Sequence, residues 1–206
     1  MLMAGFLRTT LGAGVAILCF SAVFASMARA EGKPDYSRSG FYLGAEFGIA
    51  TATMLEDDLD EFWDAKVYET GFVNARLGYQ VIPYLAAELQ VEYVMKFRTE
   101  IDRQKAWTHD VVALTANAKV PLSRGRLQPF LLAGGGMFHA MFDGDPGPGI
   151  TRPTDGTGFA LRMGGGLDLF ATEHILVDVA VTYVLPFGDV RDLDYISVGF
   201  GAQYRF

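Results

Sequence analysis

The sequence predicts an all-β chain, an eight-stranded antiparallel up-and-down transmembrane β-barrel, and three observations lead to it. Residues 195–206 alternate strictly: Ile196, Val198, Phe200, Ala202, Tyr204 and Phe206 share one strand face, Ser197, Gly199, Gly201, Gln203 and Arg205 the other. Seven earlier segments have strand character, and nothing beyond residue 30 approaches the ~20 consecutive apolar residues of a membrane helix. The connections between segments alternate long and short, as they do in a barrel with one looped rim.

The beginning of the chain points to export. Arg8 precedes an apolar stretch from Leu11 to Ala25, followed by Ala28, Arg29 and Ala30, with small residues at the alternate positions a signal peptidase requires. Residues 1–30 are therefore expected to be a signal peptide cleaved after Ala30, 31–39 a short periplasmic segment, and 40–206 the barrel domain. Cys19, the single cysteine, lies in the excluded segment behind Leu18, so no disulfide, thiol nucleophile or lipid anchor is expected. Cleavage removes two bases and no acid, taking the formal charge from -7 to -9. That balance, without a basic patch, argues against nucleic acid as a partner.

On the closing segment and its terminal aromatic, the chain resembles the small bacterial outer-membrane β-barrel family, OmpA-like and OmpX-like, including opacity-type surface proteins. The resemblance implies an outer-membrane location and partners in outer-membrane lipid and lipopolysaccharide. It also implies that Phe206 and Tyr204 form a signal read by the barrel assembly machinery. It further implies a non-enzymatic role without cofactors, in envelope integrity, adhesion or host interaction through surface loops that take an extracellular protein or glycan ligand. No soluble peptidoglycan-binding domain is expected after the barrel. A small porin-like channel and a lipid-modifying barrel enzyme are the alternatives.

The strands are expected at about 40–51, 70–82, 84–98, 106–120, 127–142, 158–170, 174–185 and 194–206. In the third, Leu85, Ala87, Leu89, Val91, Tyr93, Met95 and Phe97 oppose Ala86, Glu88, Gln90, Glu92, Val94, Lys96 and Arg98. In the fourth, Val112, Leu114, Ala116, Ala118 and Val120 oppose Val111, Ala113, Thr115, Asn117 and Lys119. The fifth is ambiguous, because Phe130, Leu132, Ala133 and Met137 leave both faces apolar around Gly134, Gly135 and Gly136. Aromatics near strand ends, Phe41, Tyr84, Phe97, Trp107, Phe142, Phe159, Phe170, Tyr183 and Phe187, are expected to form interfacial girdles.

A secreted lipocalin-like barrel would show the same alternation with its apolar face inward. The polar face distinguishes the two: Ala160, Arg162, Gly164, Gly166 and Asp168 carry too little charge to face water, but suit a narrow lumen in which each charge finds a partner. This assignment puts Glu46, Arg76, Glu88, Glu92, Lys119, Arg162, Asp168, Asp178 and Arg205 inside. Eight strands leave an interior just wide enough for side chains, so a plug of ion pairs is expected, with a narrow ion path as the alternative.

The first long loop gathers Asp57, Asp58, Asp60 and further acids around Trp63. It suits a solvated acidic surface, a basic partner, or calcium bridging to anionic lipopolysaccharide, although its spacing does not match a twelve-residue calcium loop. The loop from Asp143 to Gly156 is dense in Gly, Pro and Asp, hence turns. The histidine-serine pair of the lipid A deacylase family is absent, since Val111, Met141 and Leu176 stand two residues after His109, His139 and His174. Adjacent His109 and Asp110 point to opposite faces. One constellation remains. If the turn after the fourth strand centres near residue 124, His109 opposes His139 near Asp143, a candidate metal or proton-sensing rim cluster in which odd residues of the fifth strand face inward.

Overall fold

The structure, a computed structural model, describes residues 36–52, 65–67, 69–101, 104–143 and 155–206; for 65–67, 98–101 and 104–107 it describes the backbone alone. The strands are β1 Gly40–Ala52, β2 Ala65–Val67, β3 Thr70–Ile82, β4 Leu85–Ile101, β5 Gln104–Pro121, β6 Leu127–Asp143, β7 Gly156–Phe170, β8 Ile175–Pro186 and β9 Tyr195–Arg205, with a short 3-10 helix at Gly188–Val190. All pairings are antiparallel, in the order β4-β3-β1-β9-β8-β7-β6-β5, and β4–β5 pairing closes the ring. β2 continues the β3 pairing along β4 in the same register, Val67 opposite Thr99 and Phe72 opposite Val94. The ring therefore has eight staves, because a closed sheet leaves no unpaired edge for lipid to desolvate.

Period-two alternation sorts the side chains. On β9 the even residues from Ile196 to Phe206 face outward, while Ser197, Gln203 and Arg205 are buried inside. On β5 the odd residues from Val111 to Lys119 face inward, as expected. Lumen aromatics lie across from glycines on the neighbouring strand: Tyr42 opposite Gly78, Phe72 opposite Gly48, Phe130 opposite Gly166 and Phe138 opposite Gly158. An eight-strand interior cannot hold two bulky side chains at one level, so each ring occupies its partner's missing side chain. A Cβ at Gly78 would overlap the Tyr42 ring. Gly78→Ala is accordingly expected to cost about 1–3 kcal/mol through overpacking, measured as a lower urea midpoint of the folded form in detergent.

The alternation of β4 breaks where the sequence does not announce it. Val94 opposes Val111 and Phe97 opposes His109, so three residues advance against two and form a β-bulge. Lys96 has φ 22°, on the left-handed side that side chains other than glycine disfavour. Asp110, on the outer face, holds this bend: its Oδ1 accepts the Lys96 backbone N–H at 2.7 Å and its Oδ2 the Tyr93 hydroxyl at 3.1 Å. Met95 and Lys96 both turn outward and Phe97 turns into the lumen at 1% exposure, which corrects the regular alternation expected for the third strand.

β6 resolves the ambiguous segment: even residues Gln128, Phe130, Leu132, Phe138, Ala140 and Phe142 are inside, and Leu131 and Met137 face outward. Consequently Phe142, with Phe97 and Phe170, packs inside and belongs to no girdle, whereas Phe41, Tyr84, Phe159 and Phe187 do face outward. The Trp107 side chain lies outside the described residues.

Candidate functional site: a layered, closed lumen

The lumen is the only chemically rich interior among the described residues, and its layers follow strand register. At the end with the short turns, which is the periplasmic end in this architecture, Arg205 reaches beneath the barrel. Its Nη1 donates to the Tyr36 carbonyl at 2.6 Å, and its Nη2 to the Arg38 carbonyl at 3.1 Å and to Gln80 Oε1 at 3.2 Å. The segment before β1 is thereby folded across the mouth, with the Tyr36 ring 4.8 Å from that of Phe170.

Above it, Lys119 Nζ lies 2.8 Å from Asp168 and 3.8 Å from Glu88, with the Phe130 ring centre 4.0 Å away. The Tyr42 hydroxyl donates to Glu88 Oε1 at 2.7 Å. Next, Arg76 Nη2 bridges Glu46 at 2.8 Å and Asp178 at 2.7 Å, with Gln203 donating to Asp178 at 3.3 Å. In the third layer Arg162 grips Glu92 in a fork, Nη1 to Oε2 at 3.0 Å and Nη2 to Oε1 at 2.9 Å, and the Tyr195 hydroxyl donates to the same carboxylate. Thr182 Oγ1 lies 3.4 Å from Arg162 Nη1 and 2.8 Å from Ser197 Oγ. All nine lumen residues singled out by sequence are thus placed inside and buried, and eight of them join these three ion-paired layers while Arg205 seals the mouth.

Sequence reasoning missed the outer third of the lumen. Phe72, Val94, Phe97, Val111, Phe138 and Tyr195 form a buried apolar cluster there, on which Val190 from the 3-10 helix and Leu193 close down. The signal was present in the inward-facing residues themselves: Glu88, Gln90 and Glu92 give way to Val94 along β4, and Lys119, Asn117 and Thr115 to Ala113 and Val111 along β5. A polar plug at one end therefore adjoins an oily plug at the other. At the short-turn end, a lumen cavity lined by Tyr42, Gln80, Lys119, Gln128, Asp168 and Arg205 measures about 10 Å³, the room of a single water.

The proposed histidine rim cluster is not assembled. Val112, rather than His109, opposes His139, and His109 opposes Phe142. The β5–β6 turn centres one to two residues later than expected, and the odd net shift in register reverses the facing of β6. His109 stacks inside between Phe97 and Phe142, with ring centres 5.1 and 5.2 Å away, while His139 sits on the other side of the wall with Nδ1 2.7 Å from Thr157 Oγ1. Asp143, exposed at the end of β6, joins neither. Among the described residues no three His, Cys, Asp or Glu side chains converge to hold a metal. Asp57, Asp58, Asp60 and Trp63 of the acidic loop lie outside the described residues. Phe206 faces outward, its N–H donating to the Phe41 carbonyl at 3.0 Å, and its ring meets Tyr204 edge-on at 5.1 Å.

This architecture agrees with comparisons to known proteins. Neisserial surface protein A (NspA) has 17% identity and a TM-score of 0.58, covering 82% of this chain and 98% of that one. OprG of Pseudomonas aeruginosa has 17% identity and a TM-score of 0.56, covering 84% and 100%. Ail, the attachment invasion locus protein of Yersinia pestis, has 15% identity and a TM-score of 0.50, covering 82% and 100%. None of the curated proteins is significantly similar in sequence. At such identities the structural likenesses concern the fold alone, but the sequence itself matches a family over residues 16–206. The chain belongs to the outer membrane protein beta-barrel domain family, which places it in the bacterial outer membrane.

Proposed function

We propose that this protein is a non-enzymatic outer-membrane barrel whose closed body anchors its external loops, which serve envelope integrity, adhesion or binding of a protein or glycan partner. One observation carries this reading: among the described residues, three layers of buried ion pairs and an apolar plug are stacked along the lumen, where a channel would need a continuous water path. Fold by itself supports many jobs. The protein named for attachment and invasion in Yersinia pestis shows one of them on this barrel. Within this reading the chain is exported by a signal peptide cleaved after Ala30, and the outward pair Tyr204 and Phe206 is recognised by the barrel assembly machinery.

The test uses the folded protein in planar bilayers, with heat-modifiable gel migration of the same preparation as the folding control. Migration that shifts on heating, without conductance steps, is the expected result. Reproducible conductance from the folded species would overturn the closed-body reading and favour a small channel.

A further inference from the structure

We propose that the outer wall formed by β3, β4 and β5 holds one glycerophospholipid of the periplasmic leaflet, its acyl chain in a groove over Ala87 and Ala116 and its phosphate on Arg124. The wall of a small barrel is normally an even apolar surface. Here it is indented on the lipid-facing side by a groove of about 470 Å³ between Phe47, Val73 and Phe200 and by one of about 440 Å³ on β3, β4 and β5, and the second has a stacked arginine beneath it. Ala87 and Ala116 form its floor, and Phe41, Leu77, Tyr79 and Leu89 its banks, with the Phe41 and Tyr79 rings 4.7 Å apart at one edge. In a bilayer such a furrow is filled by whatever apolar chain packs it without voids, because lost dispersion contacts are not compensated by water.

The rim beneath the groove decides which lipid. Ala87 lies two residues above Leu85, where β4 leaves the short β3–β4 turn carrying Tyr84. Arg124, from the neighbouring β5–β6 turn, lies with its guanidinium 4.4 Å over the Tyr84 ring. Stacking fixes the plane of the guanidinium and leaves its N–H edge for an anion, the geometry that suits phosphate. The other arginine of that turn is committed inward, Arg126 Nε and Nη2 donating to the carbonyls of Phe170 and Ala171 at 2.8 Å each. The β7–β8 turn, across the ring, presents exposed Glu173 instead. A cation therefore lies below this groove and an anion below the β7–β8 side of the ring, which complements a lipid phosphate on the Arg124 side.

The test is photolabelling of the folded full chain in vesicles of phosphatidylethanolamine and phosphatidylglycerol. The probe is a phosphatidylglycerol with a diazirine on its acyl chain, and adducts are mapped by peptide mass spectrometry. Adducts are expected to concentrate on residues 85–89 and 114–118, about threefold above residues 177–181 of β8, the enrichment one interfacial ion pair supplies. Arg124→Gln should lower the groove labelling to the β8 level and Arg124→Lys should retain much of it. Ala116→Leu, which fills the floor, should lower it with the headgroup contact intact, and heat-modifiable migration confirms that each variant is folded. Labelling spread evenly around the barrel would overturn the proposal. So would labelling unchanged by Arg124→Gln, or equal labelling by a diazirine diacylglycerol that lacks the phosphate.

Discussion

Replacing Arg162 by alanine is expected to destabilise the folded barrel by about 3–5 kcal/mol, the loss that follows when one member of a buried ion pair is removed. The side chains of Arg162 and Glu92 are 0% and 1% exposed, so neither can turn to water when its partner goes. Without the guanidinium, the Glu92 carboxylate would keep the Tyr195 hydroxyl but lose both forked bonds. Thr182 and Ser197 are too short to replace them. The loss reflects the stranded charge more than the worth of the pair. Arg162→Leu combined with Glu92→Leu should therefore recover most of the stability lost by the single variant. The check is the urea midpoint of the heat-modifiable form for both variants. A double variant as unstable as the single would show that the fork itself, and not the avoidance of an orphaned charge, holds this layer.

Phe138→Ala should cost about as much for a different reason, some 3–5 kcal/mol for an emptied core site. Phe138 is fully buried in the external cluster, and the position across from it is Gly158, which has no side chain to move into the space. Backbone closes around that glycine, because the Phe187 carbonyl and the Val190 side chain already crowd it. The void would thus persist, where a less rigid site would collapse and recover part of the loss. No conductance should appear, since the Arg162–Glu92, Arg76–Glu46 and Lys119–Asp168 layers still block the lumen beneath. Unfolding midpoints and bilayer recordings on the same variant separate the two consequences. Conductance in Phe138→Ala would mean that the oily plug alone closes the barrel.

The staves, their facing and the charged lumen were legible in the sequence because lipid imposes one rule on every residue of an outer wall. Leu89, Val91 and Tyr93 had to alternate with Gln90 and Glu92, and strand period turns that alternation into geometry. β6 was not legible, because Phe130, Leu131 and Leu132 suit either face and a one-residue slip leaves both apolar. The β4 bulge was hidden for another reason. It depends on Asp110 reaching across from β5 to the Lys96 backbone, a contact between strands that no pattern within one strand encodes. With the β6 register went the histidine cluster, and with the bulge went the facing of Phe97. The oily outer third was readable in principle, as the change from Glu92 to Val94 and from Thr115 to Val111 on inward positions shows.

The β1–β9 seam has a consequence for how this molecule can be made. Tyr42 pairs with Arg205, and Arg205 also ties down the segment containing Tyr36, so the two ends of the described barrel hold each other. Every other pairing in the ring joins strands close in sequence and can form locally as the chain emerges. The seam requires closing a loop of nearly the whole domain, the slowest kind of contact to establish. Until Arg205 arrives, any nascent sheet has two sticky borders, an oily exterior and charges without partners, so a half-made chain has no resting state in water or in lipid. Such a polypeptide must be escorted from synthesis until its seam is zipped, and its vulnerability to proteolysis and clumping is concentrated in that interval.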